Sequence, residues 1–346
     1  MLPVIYFKKQ PVMRKVVYCL IPPLIAGIYF FGWVSLAIVA LSLSCSIITE
    51  WLFVRKKTGK VSEAVLVTGM LFGLILPPTI PFYMVILGSV FAVSFGKMAF
   101  GGFGFNVFNP AMVGRAFVYI TFPIHMTNRW IAAAGFSDFP GGFVVWRFLP
   151  KLPASVEAIT TATYSHAYRA VQSGPSVQQI PDLPSLRQLF FGDIHGTFEY
   201  LGRTMSVGAG SLGEVSAVLL MAGGIYLILK KVAKWRLVLS FLGVYMIAQT
   251  VLHAWQPDLA PPLLHGIFSG GAILGGFFMV TDPVSAPKTR GAQYMYGGFI
   301  AVFTNIIRTF SLFAGGLMFS ILLGNMFASL FDHGVKAWQK RGAGDS

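Results

Sequence analysis

Residues 157–169, EAITTATYSHAYR, gather Thr160, Thr161, Thr163, Tyr164 and Ser165 in one polar stretch of an otherwise oily chain. A free hydroxyl is a weak nucleophile until a neighbouring base, a lowered pKa or a metal activates it. No acid or base is paired with these hydroxyls by a recognisable catalytic spacing, so no catalytic residue is assigned in this chain. Pro153, Pro175, Pro181 and Pro184 flank them, and by composition alone the segment reads as a solvated, turn-rich loop.

The other side chains able to do chemistry are carboxylates. Glu50, Glu63, Glu214, Asp282 and Asp332 fall at the edges of apolar runs. An ionisable group among membrane helices needs a partner or a bound cation to offset its desolvation. At the edge of a run, water or a nearby lysine can do the same job. Glu63 and Asp332 are the expected cation-uptake residues. His125, His166, His195, His253, His265 and His333 are scattered without a pair at helical ligand spacing, and Cys19 and Cys45 stand alone inside apolar runs. No metal site is expected.

The elements that must position these groups follow from composition. The chain has 346 residues, 55% hydrophobic and 11% charged, with a mean hydropathy of +0.70. These values exclude an ordinary soluble domain. Ten apolar runs, each near the roughly 20 residues that cross a hydrocarbon core, are expected at 16–32, 34–54, 62–78, 82–99, 109–126, 211–229, 235–253, 262–281, 293–309 and 313–331. The net charge of +14 is spread over short clusters between runs, which suits membrane orientation and not nucleic acid. With both termini in the cytoplasm, Lys8, Lys9, Arg14, Lys15, Arg55–Lys57, Lys60, Lys97, Lys230, Lys231, Lys234, Arg236, Lys288 and Arg290 all lie inside. The outer turns 79–81 and 254–261 carry no Lys or Arg. Residues 127–210, the one long connection, then face outward with their hydroxyl cluster.

An internal echo divides the chain. FGLILPPTIPFYMVILG (72–88) and GGFFMVTDPVSAPKTRGAQYMYGG (275–298) each join an apolar run to a proline-bearing break and a second run. GGFGFNVFNPAM (101–112) and GGLMFSILLGNMFASLFD (315–332) follow them. The charges put the two breaks on opposite sides, so the expected fold is an all-α polytopic protein of about ten transmembrane helices in two inverted repeats of five. Its expected parts are 1–126, the outer loop 127–210 and 211–346. Lipid cannot satisfy broken backbone, so the segments around Gly102, Gly104 and Asn109, and around Asp282, must line a cavity or a ligand. The glycines at 101–104 follow no strand and are not a dinucleotide fingerprint.

LPPTIPFYMVILG, FGGFGFNVFNPAMVGRAF, GSLGEVSAVLLMAGGIYL (210–227), FFMVTDPVSAPKT (277–289) and LLGNMFASLFD (322–332), in this order, resemble the RnfD/NqrB family. Its members are membrane subunits of two electron-transport complexes: RnfD of the Rnf complex, and NqrB of the sodium-pumping NADH:quinone oxidoreductase. The short segment before the first run suits RnfD, while NPAMVGRAF leans toward NqrB. The family carries flavin mononucleotide (FMN) joined through its phosphate to a threonine of the motif D-x-x-[ST]-[GS]-A-T. EAITTAT aligns with it, with Thr163 as acceptor, Thr160 as the preceding hydroxyl, Glu157 in place of aspartate and Thr161 in place of a small residue.

The resemblance further implies a noncovalent riboflavin within the bundle, with Asn109, Asp282, Gly102 and Gly104 as candidate surroundings. It implies electrons arriving from an outer-face FMN-carrying subunit, membrane iron–sulfur subunits as partners, movement of Na+ or H+, and a bacterial inner-membrane location. A solute channel or transporter, of the urea-transporter kind, fits the inverted repeat and broken helices equally well. Such a channel has no use for an outward flavin tether.

Overall fold

The computed structural model describes residues 5–57, 59–127, 133–146, 168, 184–194, 197–200, 203–206, 210–311 and 315–344. After a short strand β1 (Tyr6–Lys8), helices α1 (Pro11–Phe31) and α2 (Val34–Val54) lead to β2 (Lys60–Ser62). They are followed by α3 (Ala64–Leu74), α4 (Phe82–Gly96), α5 (Pro110–Thr121) and α6 (Pro123–Thr127). Within the long connection lie α7 (Leu186–Phe191) and the hairpin β3 (Thr197–Tyr200)–β4 (Arg203–Ser206). The second half contains α8 (Ala217–Leu229), α9 (Trp235–Trp255), α10 (Leu263–Phe268), α11 (Ala272–Leu274), α12 (Arg290–Phe310) and α13 (Gly316–Gly344). Between α11 and α12, Gly275–Met279 forms a π turn.

Helical segments fall within each of the ten expected runs. Among the described residues, four helices are long and apolar enough to cross a membrane: Pro11–Phe31, Val34–Val54, Phe82–Phe100 and Trp235–Trp255. The runs at 62–78 and 262–281 are not single helices. The first is helical only over Ala64–Leu74, and the second is divided among α10, α11 and the π turn. At 1.5 Å per residue, α3 is about 16 Å long, roughly half a hydrocarbon core.

Prolines explain the stop. Pro77, Pro78 and Pro81 follow α3, lack the N–H that would continue the ladder and disfavour helical geometry in the residue before them. The carbonyls freed at the stop are taken by the turn ahead of α8. Gly213 N donates to Leu74 O (2.7 Å) and Leu212 N to Leu76 O (3.1 Å). In the second half, Thr281 Oγ1 returns to Phe277 O at 2.6 Å, and Val280 N reaches Gly275 O at 2.8 Å.

In the first half α2 packs on α3 and α4, and α4 packs on α5; in the second, α9 packs on α12 and α12 on α13. Contacts of α1 with α8 and of α5 with α13 join the halves. The core between them includes the fully buried Phe31, Phe72, Leu74, Ile75, Tyr245 and Tyr296. On α3, Gly69 and Gly73 stand one helical turn apart and let its backbone approach α2. A Cβ on Gly73 would sit 2.9 Å from Val39 Cα, and one on Gly69 2.9 Å from Leu43 Cα. This is the small-xxx-small device of membrane helix pairs.

Asp332 on α13 holds the entrance of α12. It accepts hydrogen bonds from Lys288 N (2.8 Å), Thr289 N (2.8 Å) and Thr289 Oγ1 (2.7 Å). Burial pushes its carboxyl up, but the N–H groups of Lys288 and Thr289, helped by the Thr289 hydroxyl and Lys336, outweigh burial and hold it below the usual aspartate range.

Two outcomes follow from this packing. Gly73→Leu should lower stability in detergent by about 1–3 kcal/mol through overpacking, read as a fall in the thermal unfolding midpoint. Gly243→Ala, where an added Cβ meets nothing within 4 Å, should leave it unchanged or higher. A carboxyl whose folded pKa is depressed stabilises the fold above its unfolded pKa, and that contribution is lost as pH falls through the folded value. The wild-type midpoint should therefore drop as pH falls below about 4, and in Asp332→Asn this component of the drop should be missing.

Candidate functional site

The broken segments of both halves converge on one cleft. It lies among α1, α3, the start of α5, the end of α8 and the break at 278–284, with about 680 Å³ of empty space when the open solvent at its mouth is counted. Met13, Leu71, Phe103 and Phe278 provide apolar and aromatic wall; Thr68, Lys97, Asn106, Asn109, Thr281 and Asp282 provide the polar groups. A shallower groove continues to the protein surface past Gln10, Pro11, Phe103, Gly104, Pro283 and Lys288.

Asn109, expected at such a cavity, lies on its wall and also caps α5. Its Oδ1 accepts from Ala111 N (3.1 Å) and Met112 N (3.4 Å), satisfying donors that a helix start leaves open. Its own N–H donates to Asn325 Oδ1 on α13 at 3.0 Å, and Asn325 Nδ2 donates to Tyr296 OH on α12 at 2.6 Å. The second half of the chain thus fixes the cleft wall supplied by the first.

Asp282, the other expected residue, stands on the same cleft and accepts from Val284 N at 2.9 Å, closing the turn that carries it. Gly104 borders the adjoining groove. Gly102 is not among the residues lining either space; its φ of +99°, like that of Gly104, is one that a side chain rarely adopts. Thr160 and Thr163 lie outside the described residues.

Glu63 and Asp332 are not in the cleft. Glu63 is buried and takes Arg14 Nε at 2.8 Å, with Arg14 Nη2 and Gln10 N on its two oxygens. Gln10 in turn accepts from Ala64 N at 2.9 Å, so this cluster ties the N-terminal segment to the start of α3. Asp332 caps α12. Among the described residues no group of three His, Cys, Asp or Glu side chains could hold a metal ion.

The sequence reading missed a buried ion pair. Lys97, expected among the charges facing the cytoplasm, has a side chain only 2% exposed, and Glu50 only 3%. Lys97 Nζ donates to Glu50 Oε2 (2.6 Å) and Ser62 Oγ (2.6 Å), while Ser62 N donates to Glu50 Oε1 (2.9 Å). Lys97 lines the cleft, whereas Glu50 lies behind it. Asp282 is within electrostatic reach of the ammonium. The local signal was a lysine placed directly after an apolar helix and before Gly101 and Gly102, with a carboxylate near the end of α2 to match it. A smaller pair, Arg115 Nη1–Glu214 Oε1 at 3.4 Å, links α5 to the turn before α8.

The profile of the NQR2, RnfD, RnfE family matches residues 7–340. Similar curated proteins are named as the D component of an ion-translocating oxidoreductase complex. That of Aeromonas hydrophila is 32% identical over 332 residues, covering 93% of this chain and 92% of the relative. That of Yersinia enterocolitica is 32% identical over 345 residues, covering 94% and 92%. That of Pectobacterium carotovorum is 30% identical over 349 residues, covering 95% and 93%. With its apolar helices and a match along nearly the whole chain, this multi-pass membrane protein belongs to the NQR2, RnfD, RnfE family, as one subunit of an ion-translocating oxidoreductase complex.

Proposed function

We propose that this chain is an RnfD-type electron carrier that holds two flavins and passes electrons across a bacterial inner membrane, coupled to movement of Na+ or H+. The convergence of Asn109 and Asp282 on one cleft carries the reading, because these residues come from breaks in separate halves of the chain. The packing of α2, α4 and α5 in the first half has a counterpart in that of α9, α12 and α13 in the second, which supports a repeat; the charges on the two breaks make it an inverted one, an architecture whose sites lie between the repeats. A noncovalent flavin such as riboflavin fits the residues present: Phe103 and Phe278 suit a flat aromatic ring, and Asn106, Thr68 and Lys97 can donate hydrogen bonds to its heteroatoms. When bound, that group supplies the electron-carrying chemistry. The protein's share is to orient the ring, exclude water and set the local charge.

The Asn109 cap fixes the wall on one side, and the Asp282 turn fixes it on the other. The outer-face FMN belongs on Thr163, next to Thr160, where covalent attachment maintains local occupancy regardless of affinity. Its electrons would come from an outer-face FMN-carrying subunit, with membrane iron–sulfur subunits completing the route. Glu63 and Asp332 are the proposed cation-uptake carboxylates, in addition to the structural bonds each already makes. An NqrB role, delivering to quinone, is the alternative within the family.

In the complex purified from its native host, a fluorescent band of this subunit should survive denaturing electrophoresis and vanish in Thr163→Ala. A chain unmodified at position 163, together with the absence of any flavin absorbance, would favour a solute channel instead. Asn109→Asp retains an acceptor for the α5 cap while removing the amide donor. It should lower acid-extractable flavin and leave the covalent band intact; equal amounts of both flavins in variant and wild type would remove Asn109 from the site.

A further inference from the structure

The Lys97–Glu50 pair, with Ser62, ties the end of α2 and the residue after α4 to β2, but such a tie does not require charge. A buried ion pair is seldom more stabilising than apolar side chains of the same volume, since desolvating both charges offsets much of their attraction. Ionisable groups inside membrane proteins are for this reason functional candidates. The pair is also asymmetric: the ammonium reaches the cleft, and the carboxylate stays behind it, bonded through both oxygens to Lys97 and Ser62. Among the described residues Lys97 donates two hydrogen bonds, one to Glu50 and one to Ser62. A lysine ammonium has three N–H donors, so one is left on a group that borders the cavity. Its nitrogen also lies 5.9 Å from the centroid of the Phe103 ring on the same wall.

We infer that Lys97, backed by Glu50, sets the electron affinity of the flavin bound in this cleft, as an electrostatic positioning residue for its reduced form. This rests on the proposal that the cleft holds a noncovalent flavin. The chemistry balances simply: an oxidised isoalloxazine ring that takes two electrons and one proton carries one more negative charge than before. In a low-dielectric site a fixed positive charge favours that product over the neutral oxidised ring. Glu50 opposes this effect from behind the lysine. The affinity is therefore set by a difference of charges, and the two members of the pair should act in opposite directions.

The test uses the whole complex in a Thr163→Ala background, so that this chain contributes only dissociable flavin, and follows its absorbance in a dithionite titration with mediators. Lys97→Met should weaken the preference for the reduced ring at least tenfold, a downward shift of about 30 mV or more for two electrons. Glu50→Gln should shift the midpoint upward, Lys97→Arg should stay close to the parent, and the double variant should move back toward it. Shifts of the same sign in Lys97→Met and Glu50→Gln, or none in either, would overturn the inference. If Lys97→Met fails to assemble, the upward shift in Glu50→Gln and the preserved value in Lys97→Arg decide the question alone. Acid-extractable flavin is measured alongside: its absence from the parent complex defeats the cleft assignment itself, a result distinct from flavin that is present but indifferent to these charges.

Discussion

In a bilayer no water is available to pair a backbone N–H or C=O left open by a broken helix, and the architecture of this chain is arranged around that constraint. Where α3 stops at Leu74, its carbonyls are met by Leu212 and Gly213, residues that open the second half of the chain. Where α5 starts, the Asn109 side chain covers two amides, and the amide of Asn109 itself goes to Asn325. Where α12 starts, Asp332 covers the approach. At three breaks the partner comes from an element distant in sequence. At the first two the partner lies in the other half of the chain, so the irregular segments add to the helix contacts that join the halves, and the cleft forms where they meet.

The cleft consequently has two kinds of wall. Apolar and aromatic residues provide area, and each polar group on the wall that has a described partner is anchored by the backbone or by another side chain. Asn109 and Asp282 are held by the turns they close, and Lys97 by Glu50 and Ser62. Groups fixed in this way need little reorganisation when charge changes nearby, which is the condition under which electrostatics are most effective. The chain belongs to a family of membrane subunits, and the redox role proposed for this wall draws on that fixed polarity.

Much of this was legible from sequence because hydropathy and proline placement report directly on helices in lipid. The runs at 34–54 and 235–253 correspond closely to α2 and α9, since nothing interrupts their ladders. The runs at 62–78 and 262–281 were read too long: apolar composition continues through a break whose carbonyls are satisfied by distant residues, and hydropathy does not register that. Asn109 and Asp282 were legible as cavity-wall residues, though not as ligand contacts, because a broken segment announces its polar residues locally. Lys97 and Glu50 were not paired, because 47 residues separate them and a lysine after an apolar run resembles a loop charge. The hydroxyls at 160 and 163 fall outside the described residues, so the tether rests on the motif alone.

One small feature reaches further than its size suggests. β1 and β2 run parallel for three residues, with Lys8 opposite Ser62, and Ser62 is the hydroxyl that grips Lys97. The chain ahead of α1 is therefore mechanically linked, through one strand register, to the ammonium on the cleft wall. A neighbouring protein that pulled on this ribbon, or an affinity tag fused ahead of Tyr6, would act through Ser62 on a buried lysine while touching only the surface.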